Sequence, residues 1–312
     1  MNRLFDNCIT LSGELGLKSN KLESIIREET DQGFKVVIHN SDVLSMILRD
    51  TIPEFEGMDI EEIKDCLELG EDRTFVKGRD PEYPSRKGKA TLDSRFDILL
   101  PGKKGRTPVI LGIESQKEIG NSEHLYNRML YYAGRMISNQ KNRDFRNDNY
   151  QDMKDVICIW LILRPKGILK NDIKCLKVRG SSTCHDDDKE MVFDKLKILI
   201  VGLGDYAGDI ENRVRFASTL FAPDLDQQQR FDLVKENYNI ELDESVLEGV
   251  DRIMGFYDNS IQAERQEGEI EGKVDTITKL VRSGILSADD IDNLDEYDQV
   301  KELVKENLSR GQ

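Results

Sequence analysis

Residues 96–116 have the sequence FDILLPGKKGRTPVILGIESQ, and their pattern predicts a β-hairpin. Apolar residues fill both arms, and the glycines and proline of the central PGKKG are typical of a turn. Residues 123–141 carry apolar side chains at helical spacing, and residues 156–163 form a continuous apolar run. This order of strand, strand, helix and strand predicts an α/β core with hairpin and crossover links.

The rest of the chain extends this core at both ends. Helices are predicted at residues 20–31, 41–49 and 58–69, a loop at residues 78–90 and a further strand at residues 193–201. Asn40 or Ser41 is the expected N-cap of the second helix. Beyond about residue 222 the chain becomes charge-rich and helical. We therefore expect a domain of residues 1–222 and an acidic, mostly helical C-terminal region of residues 223–312.

Charge is spread unevenly along the chain. The 45 Lys and Arg against 60 Asp and Glu give a net charge of −15, but residues 73–106 hold ten basic and four acidic residues. Because salt screens distant charges within about 8–10 Å, a local basic patch can bind a polyanion on an acidic protein. The alternative is a solvated basic loop.

Two features indicate the compartment. No apolar run approaches the roughly 20 residues of a membrane helix, so we expect no membrane partner. The five cysteines are odd in number, widely spaced and without a CxxC pair, which favours a reducing cytoplasm.

The predicted hairpin brings carboxylates together. Glu114 and Gln116 lie two residues apart on one strand and share a face, and Asp97 on the neighbouring strand can stand opposite Glu114. Two such carboxylates suit a hard divalent cation, Mg²⁺ above all, with Mn²⁺ as the alternative. An ordinary half-exposed hairpin with outward polar residues is the other interpretation.

The hairpin, the helix after it and the strand of residues 156–163 together resemble the PD-(D/E)XK nuclease superfamily. They are most similar to the branch of recombination-promoting nucleases and putative transposases. The likeness covers residues 34–203 and includes the IESQ element and the Arg-x-x-Tyr-Tyr motif of the following helix. It implies a restriction-endonuclease-like core, a central mixed sheet flanked by helices.

The resemblance also implies site residues. Asp97 matches the metal-binding aspartate, Glu114 matches the acidic residue of the (D/E)XK element, and Gln116 takes the place of its lysine. A glutamine donates only a neutral hydrogen bond where a lysine would stabilise developing charge. Lys117 faces the other side of the strand and cannot easily replace that lysine.

Further residues complete the expected site. The resemblance implies a third carboxylate from a helical region, for which Glu54 is the first candidate and Glu68 the second. Arg128 matches a family arginine, either as a phosphate contact or in a structural ion pair. Tyr131 and Tyr132 are predicted to be core residues. Lys103, Lys104 and Arg106, in the basic stretch, are expected to contact DNA with Arg128.

Together these inferences predict a Mg²⁺-dependent DNA endonuclease that hydrolyses phosphodiester bonds and is connected by resemblance to recombination or transposition. The alternative is a catalytically weak or inactive relative that binds DNA or protein. In that case the C-terminal helices would serve as a homo-oligomerisation surface.

Overall fold

A mixed five-stranded sheet forms the centre of the fold. The computed structural model describes residues 19–85, 88–102, 105–119, 122–180, 191–204, 214–283, 286–287, 291 and 298–309. The strands are β1 (Glu82–Ser85), β2 (Gly88–Thr91), β3 (Ser94–Gly102), β4 (Gly105–Gln116), β5 (Asp155–Ile162), β6 (Asp172–Gly180) and β7 (Met191–Gly202). The large sheet has the order β3-β4-β5-β7-β6, and β1 pairs only with β2. The pairs β4–β5 and β5–β7 are parallel, and β3–β4 and β6–β7 are antiparallel.

Helices precede the strands, connect β4 to β5 and follow β7 along the chain. They are α1 (Ser19–His39), α2 (Ser41–Thr51), α3 (Ile60–Lys64), α4 (Ser122–Ser138), α5 (Arg215–Leu220), α6 (Gln227–Tyr238), α7 (Glu244–Arg282) and α8 (Asp298–Ser309). Short 3-10 turns lie at Pro53–Phe55, Tyr150–Asp152 and Gly167–Leu169. Asn40 caps α2, because its side-chain oxygen accepts hydrogen bonds from the backbone of Asp42 and Val43 at 3.1 Å each.

The α/β class and the hairpin, helix and strand of the predicted core are confirmed. The predicted loop at residues 78–90 instead contains the β1–β2 hairpin, and β6 was not predicted at all. Lysines interrupt the apolar pattern of β6, as is common in an edge strand. The predicted third helix is reduced to α3, because the chain after it forms bridges from Leu67 to Ile98 and from Leu69 to Val76.

Helix α4 covers one face of the sheet and connects the parallel strands β4 and β5. Its buried Leu125, Met129, Ala133 and Met136 pack in one cluster with apolar residues of β5 and β7. Glu114 is paired in register with Trp160 of β5, which belongs to this cluster. The face of the sheet that α4 covers therefore also carries the Glu114 carboxylate of the IESQ element.

The chain divides into two compact units, Met1–Met254 and Gly255–Gln312. Within the first unit, the buried guanidinium of Arg230 in α6 holds the chain that follows α5. It donates to the carbonyls of Leu220, Ala222 and Leu225 at 2.7, 2.9 and 3.0 Å. In the second unit, Val274, Ile277, Ile291, Val300 and Val304 form a small core. None of the described helices is long and apolar enough to span a membrane.

Candidate functional site

The pairing of β3 with β4 decides which aspartate accompanies Glu114. Asp97 pairs with Ile110, and the pairing runs on to Ser94 opposite Ile113. Ile110 and Glu114 are four residues apart, which is roughly 13 Å along a strand. Asp97 therefore does not stand opposite Glu114, and the prediction of that juxtaposition is wrong.

Asp97 belongs instead to a group of ion pairs. Its Oδ2 accepts a hydrogen bond from Arg79 Nε at 3.1 Å, and its Oδ1 lies 3.7 Å from the buried Arg95 guanidinium. Arg79 also pairs with Glu68, the second candidate for a third metal-binding carboxylate. These contacts already compensate both carboxylates with cations.

Asp93 takes the position next to Glu114. Its backbone N–H donates to Glu114 Oε1 at 2.8 Å. Its own Oδ2 accepts from the backbone N–H of Ser115 at 2.7 Å and from the Ser115 hydroxyl at 3.1 Å. The two carboxyl groups are thus fixed side by side by the backbone of the neighbouring strand. Gly102 pairs with Gly105 at the closed end of the hairpin, and the pairing continues to Ser94 opposite Ile113. One step further in the same register, residue 93 is opposite Glu114.

Both carboxyl groups hold a proton more readily than an ordinary carboxyl group does when no cation is near. Glu114 is only 4% exposed, and burial raises its pKa well above its ordinary value, with a further contribution from the charge of Asp93. Burial likewise raises the pKa of Asp93 to about 6, opposed by its hydrogen bonds from Ser115. The positive charge of Arg128 lowers the pKa of both groups. A cation at the pair would favour their ionised forms.

Asp31 of α1 is the third carboxylate on this side of the sheet. Its negative charge contributes to the raised pKa of both Asp93 and Glu114, and burial raises its own pKa. Neither Asp31 nor Asp93 is among the site residues predicted from the sequence. Asp31 falls at the end of the predicted first helix, which the structure continues to His39.

Glu54 does not join this group. Its Oε1 accepts a hydrogen bond from Lys197 Nζ at 2.5 Å, and Lys197 lies between Leu196 and Ile198 of the α4-covered cluster. Because alternate residues of a strand face opposite sides, Glu54 contacts the other face of the sheet. The prediction that Glu54 accompanies Glu114 is therefore wrong.

Arg128 and Gln116 form the polar edge of the site. Arg128 Nη2 donates to Gln116 Oε1 at 3.0 Å, and the guanidinium carbon lies 4.7 Å from the centre of the Trp160 ring and 5.8 Å from that of Tyr132. An arginine can only donate, so the Gln116 oxygen must face it. The amide NH₂ of Gln116 is left to donate to another group.

The two tyrosines of the helix differ. Tyr132 is half-buried, and its ring centre lies 5.9 Å from that of Trp160, consistent with the predicted core role. Tyr131 is 54% exposed, so its predicted place in the core is wrong. The helical period places Leu125 and Met129 on the buried face and turns Tyr131 away from it.

Arg106, a predicted DNA contact in the basic stretch, lies far from the carboxylates along its strand. Lys103 and Lys104 fall outside the described residues. Arg106 is exposed, donates to the carbonyl of Asp65 at 2.6 Å, and stands eight residues before Glu114, roughly 26 Å along the strand. Arg27 of α1 is a nearer cation, since its charge acts on Asp31 and Tyr132.

The described residues contain no group of three or more His, Cys, Asp or Glu side chains arranged to hold a metal ion. The Asp93–Glu114 pair supplies two carboxylates. No family model matches the chain, and no curated protein or solved structure matches it either.

Proposed function

We propose that this protein is a divalent-metal-dependent nuclease that hydrolyses phosphodiester bonds of DNA. The observation that carries the proposal is the pairing of the buried Glu114 with the half-buried Asp93, held together by the hydrogen bond from Asp93 N–H to Glu114 Oε1. Two adjacent carboxylates with raised pKa values, one buried and one half-buried, are a costly arrangement that a bound cation relieves.

The donor set fits a hard divalent ion such as Mg²⁺ or Mn²⁺. Among the described residues, no hydrogen bond reaches Asp93 Oδ1 or Glu114 Oε2, so each carboxyl group keeps an oxygen for a ligand. Such an ion, once bound, would activate water and stabilise charge on the phosphoryl group. The negative charge of Asp31, which acts on both carboxyl groups, would add to the attraction of the site for such an ion.

The remaining residues would position the substrate. Arg128 presents its guanidinium beside the carboxylates, where its positive charge favours a phosphate group. The Gln116 NH₂ would donate a neutral hydrogen bond to an oxygen of the same phosphate or to the attacking water. Arg27 would contact a phosphate of the DNA backbone further along the bound DNA strand. The link to recombination or transposition comes from the sequence resemblance.

One observation favours the alternative of a binding protein with little catalysis. The Gln116 oxygen is already bound to Arg128, and the described residues place no lysine at the carboxylate pair. Without such a cation the charge that develops on the phosphate is stabilised less. DNA binding that persists in EDTA, with no cleavage in any metal, would support this alternative.

The test is cleavage of supercoiled plasmid by the purified protein in Mg²⁺, Mn²⁺ or EDTA. The informative variants are Asp93→Asn with Glu114→Gln, beside Asp97→Asn in the adjacent β3 as a matched control. We expect metal-dependent nicking that the double variant loses and Asp97→Asn retains. Equal activity of wild type and double variant would overturn the proposal.

A further inference from the structure

A pocket of about 500 Å³ lies on the face of the sheet opposite the Asp93–Glu114 pair. Its floor is made by alternate residues of three strands, among them Ile157, Leu199 and Ile173. Residues 51–54, at the end of α2 and the turn after it, form a wall. This volume is within the roughly 300–1,000 Å³ range of small-molecule sites.

One end of the pocket carries an excess of positive charge. Lys177 of β6 and Lys197 of β7 are directly paired across the strands, and both line the pocket. Like charges that face each other across a strand pair are unfavourable. Glu54 compensates Lys197 through the 2.5 Å contact. Lys177 forms no ion pair within the described part of the chain, and Asp172 at the rim is five residues, roughly 17 Å, further along β6.

A hydrogen-bond acceptor is left over at the same end. Glu54 uses Oε1 for Lys197, while its Oε2 is buried and accepts no hydrogen bond from the described residues. Buried polar atoms in folded proteins nearly always have a partner. The pocket therefore combines an uncompensated cation, an unused acceptor and an apolar floor.

We propose that this pocket binds a small organic anion with an apolar body and a hydrogen-bond donor next to its anionic group. The carboxylate or phosphate lies between Lys177 and Lys197, and a neighbouring hydroxyl or N–H donates to Glu54 Oε2. The apolar body rests on Ile157, Ile173 and Leu199. This site is on the other face of the sheet and does not depend on the proposed nuclease activity.

The test is calorimetric titration of the full chain with 2-hydroxyoctanoate, octanoate, 1-octanol and hexyl phosphate below their micellar concentrations. We expect 2-hydroxyoctanoate to bind at least fivefold more tightly than octanoate, and 1-octanol not to bind. Comparing octanoate with hexyl phosphate distinguishes carboxylate from phosphate as the preferred anion. The Glu114→Gln variant should bind as the wild type does.

Substitutions separate a specific site from general surface adsorption. Lys177→Gln should weaken binding of 2-hydroxyoctanoate at least tenfold, whereas Lys174→Gln, on the opposite face of the same strand, should leave it unchanged. Glu54→Gln should abolish the advantage of the hydroxyl group. No binding of any probe at millimolar concentration, equal effects of the two lysine substitutions, or no preference for the hydroxyl group would each overturn the proposal.

Discussion

Asp93 and Glu114 are bound to each other through the backbone, because the N–H of Asp93 donates to Glu114 Oε1 at 2.8 Å. Glu114 is buried and Asp93 is half-buried, and the charge of Asp93 raises the pKa of Glu114. The pair is therefore a source of instability in the metal-free protein and a source of affinity for a cation.

Neutralising the pair should stabilise the protein. Asp93→Asn and Glu114→Gln keep the oxygen atoms that accept from Ser115 and Asp93 but remove the buried charge. A pKa that moves from 3.8 to about 6 corresponds to roughly 3 kcal/mol, so Asp93→Asn should gain on the order of 2–3 kcal/mol at pH 7 without metal. Urea unfolding measures this gain, and calorimetry should show that metal binding is lost.

Asp97→Asn is the matched control for that experiment. It removes the carboxylate that pairs with Arg79 and Arg95, so it should leave stability unchanged or lower it, with metal affinity retained. If Asp97→Asn abolished metal binding and Asp93→Asn did not, the site would lie at Asp97 after all.

Stability of the metal-free protein should depend on pH through Asp93. Its pKa is higher in the folded state, so between about pH 4 and pH 6 the folded protein binds more protons than the unfolded chain. The free energy of unfolding should therefore fall as the pH rises through this window. Denaturation at several pH values in EDTA measures the slope, which should be smaller in Asp93→Asn.

Metal affinity should show the opposite trend. A cation binds the ionised carboxylates, so Mg²⁺ or Mn²⁺ affinity should rise with pH through about 6 and continue to rise as Glu114 ionises. An affinity that stays constant from pH 5 to pH 8 would contradict a site at this pair.

The contrast between Asp93 and Asp97 also shows which features of the structure the sequence alone predicts. The periodicity of apolar residues was sufficient to predict the hairpin, α4 and β5, because that spacing depends on the local helix or strand conformation alone. The partner of Glu114 depends on where the hairpin closes, and moving the closure changes every cross-strand pair. Asp31 and Glu54 depend on how helices pack against the sheet, and their local sequence does not specify which face they reach.

Arg128 should be sensitive even to a change that keeps its charge. Arg128→Lys loses the planar group above Trp160 and the geometry of the bond to Gln116. We expect a loss of about 1–2 kcal/mol in the free energy of unfolding and weaker DNA cleavage. Arg146→Lys, at an exposed position, serves as control and should change neither quantity. Equal behaviour of the two variants would show that the stacked arginine has no special role.

The N-cap of α2 offers a prediction outside the site. Asn40→Ala removes the oxygen that accepts from Asp42 and Val43, which should cost about 1 kcal/mol in the free energy of unfolding. Asn40→Ser should recover most of that loss, because a serine hydroxyl can accept the same bonds. Chemical denaturation checks both, and no loss in the alanine variant would contradict the capping geometry.

Replacing Gln116 by lysine should impair this protein. Gln116 Oε1 accepts from Arg128 Nη2 at 3.0 Å, so Gln116→Lys would bring an ammonium group against a guanidinium and remove the acceptor. Two cations at such a distance in a partly buried site repel by several kcal/mol. We expect a lower melting temperature and slower plasmid nicking than in the wild type.

Exchanging the two partners tests the cause of that loss. In the double variant Gln116→Lys with Arg128→Gln, a glutamine oxygen can again accept from a cation, so the melting temperature should recover relative to Gln116→Lys alone. The two single variants and the double variant form a cycle whose coupling should be favourable by about 1 kcal/mol or more. Faster nicking by Gln116→Lys alone would show that Arg128 moves aside, and that the glutamine limits the reaction.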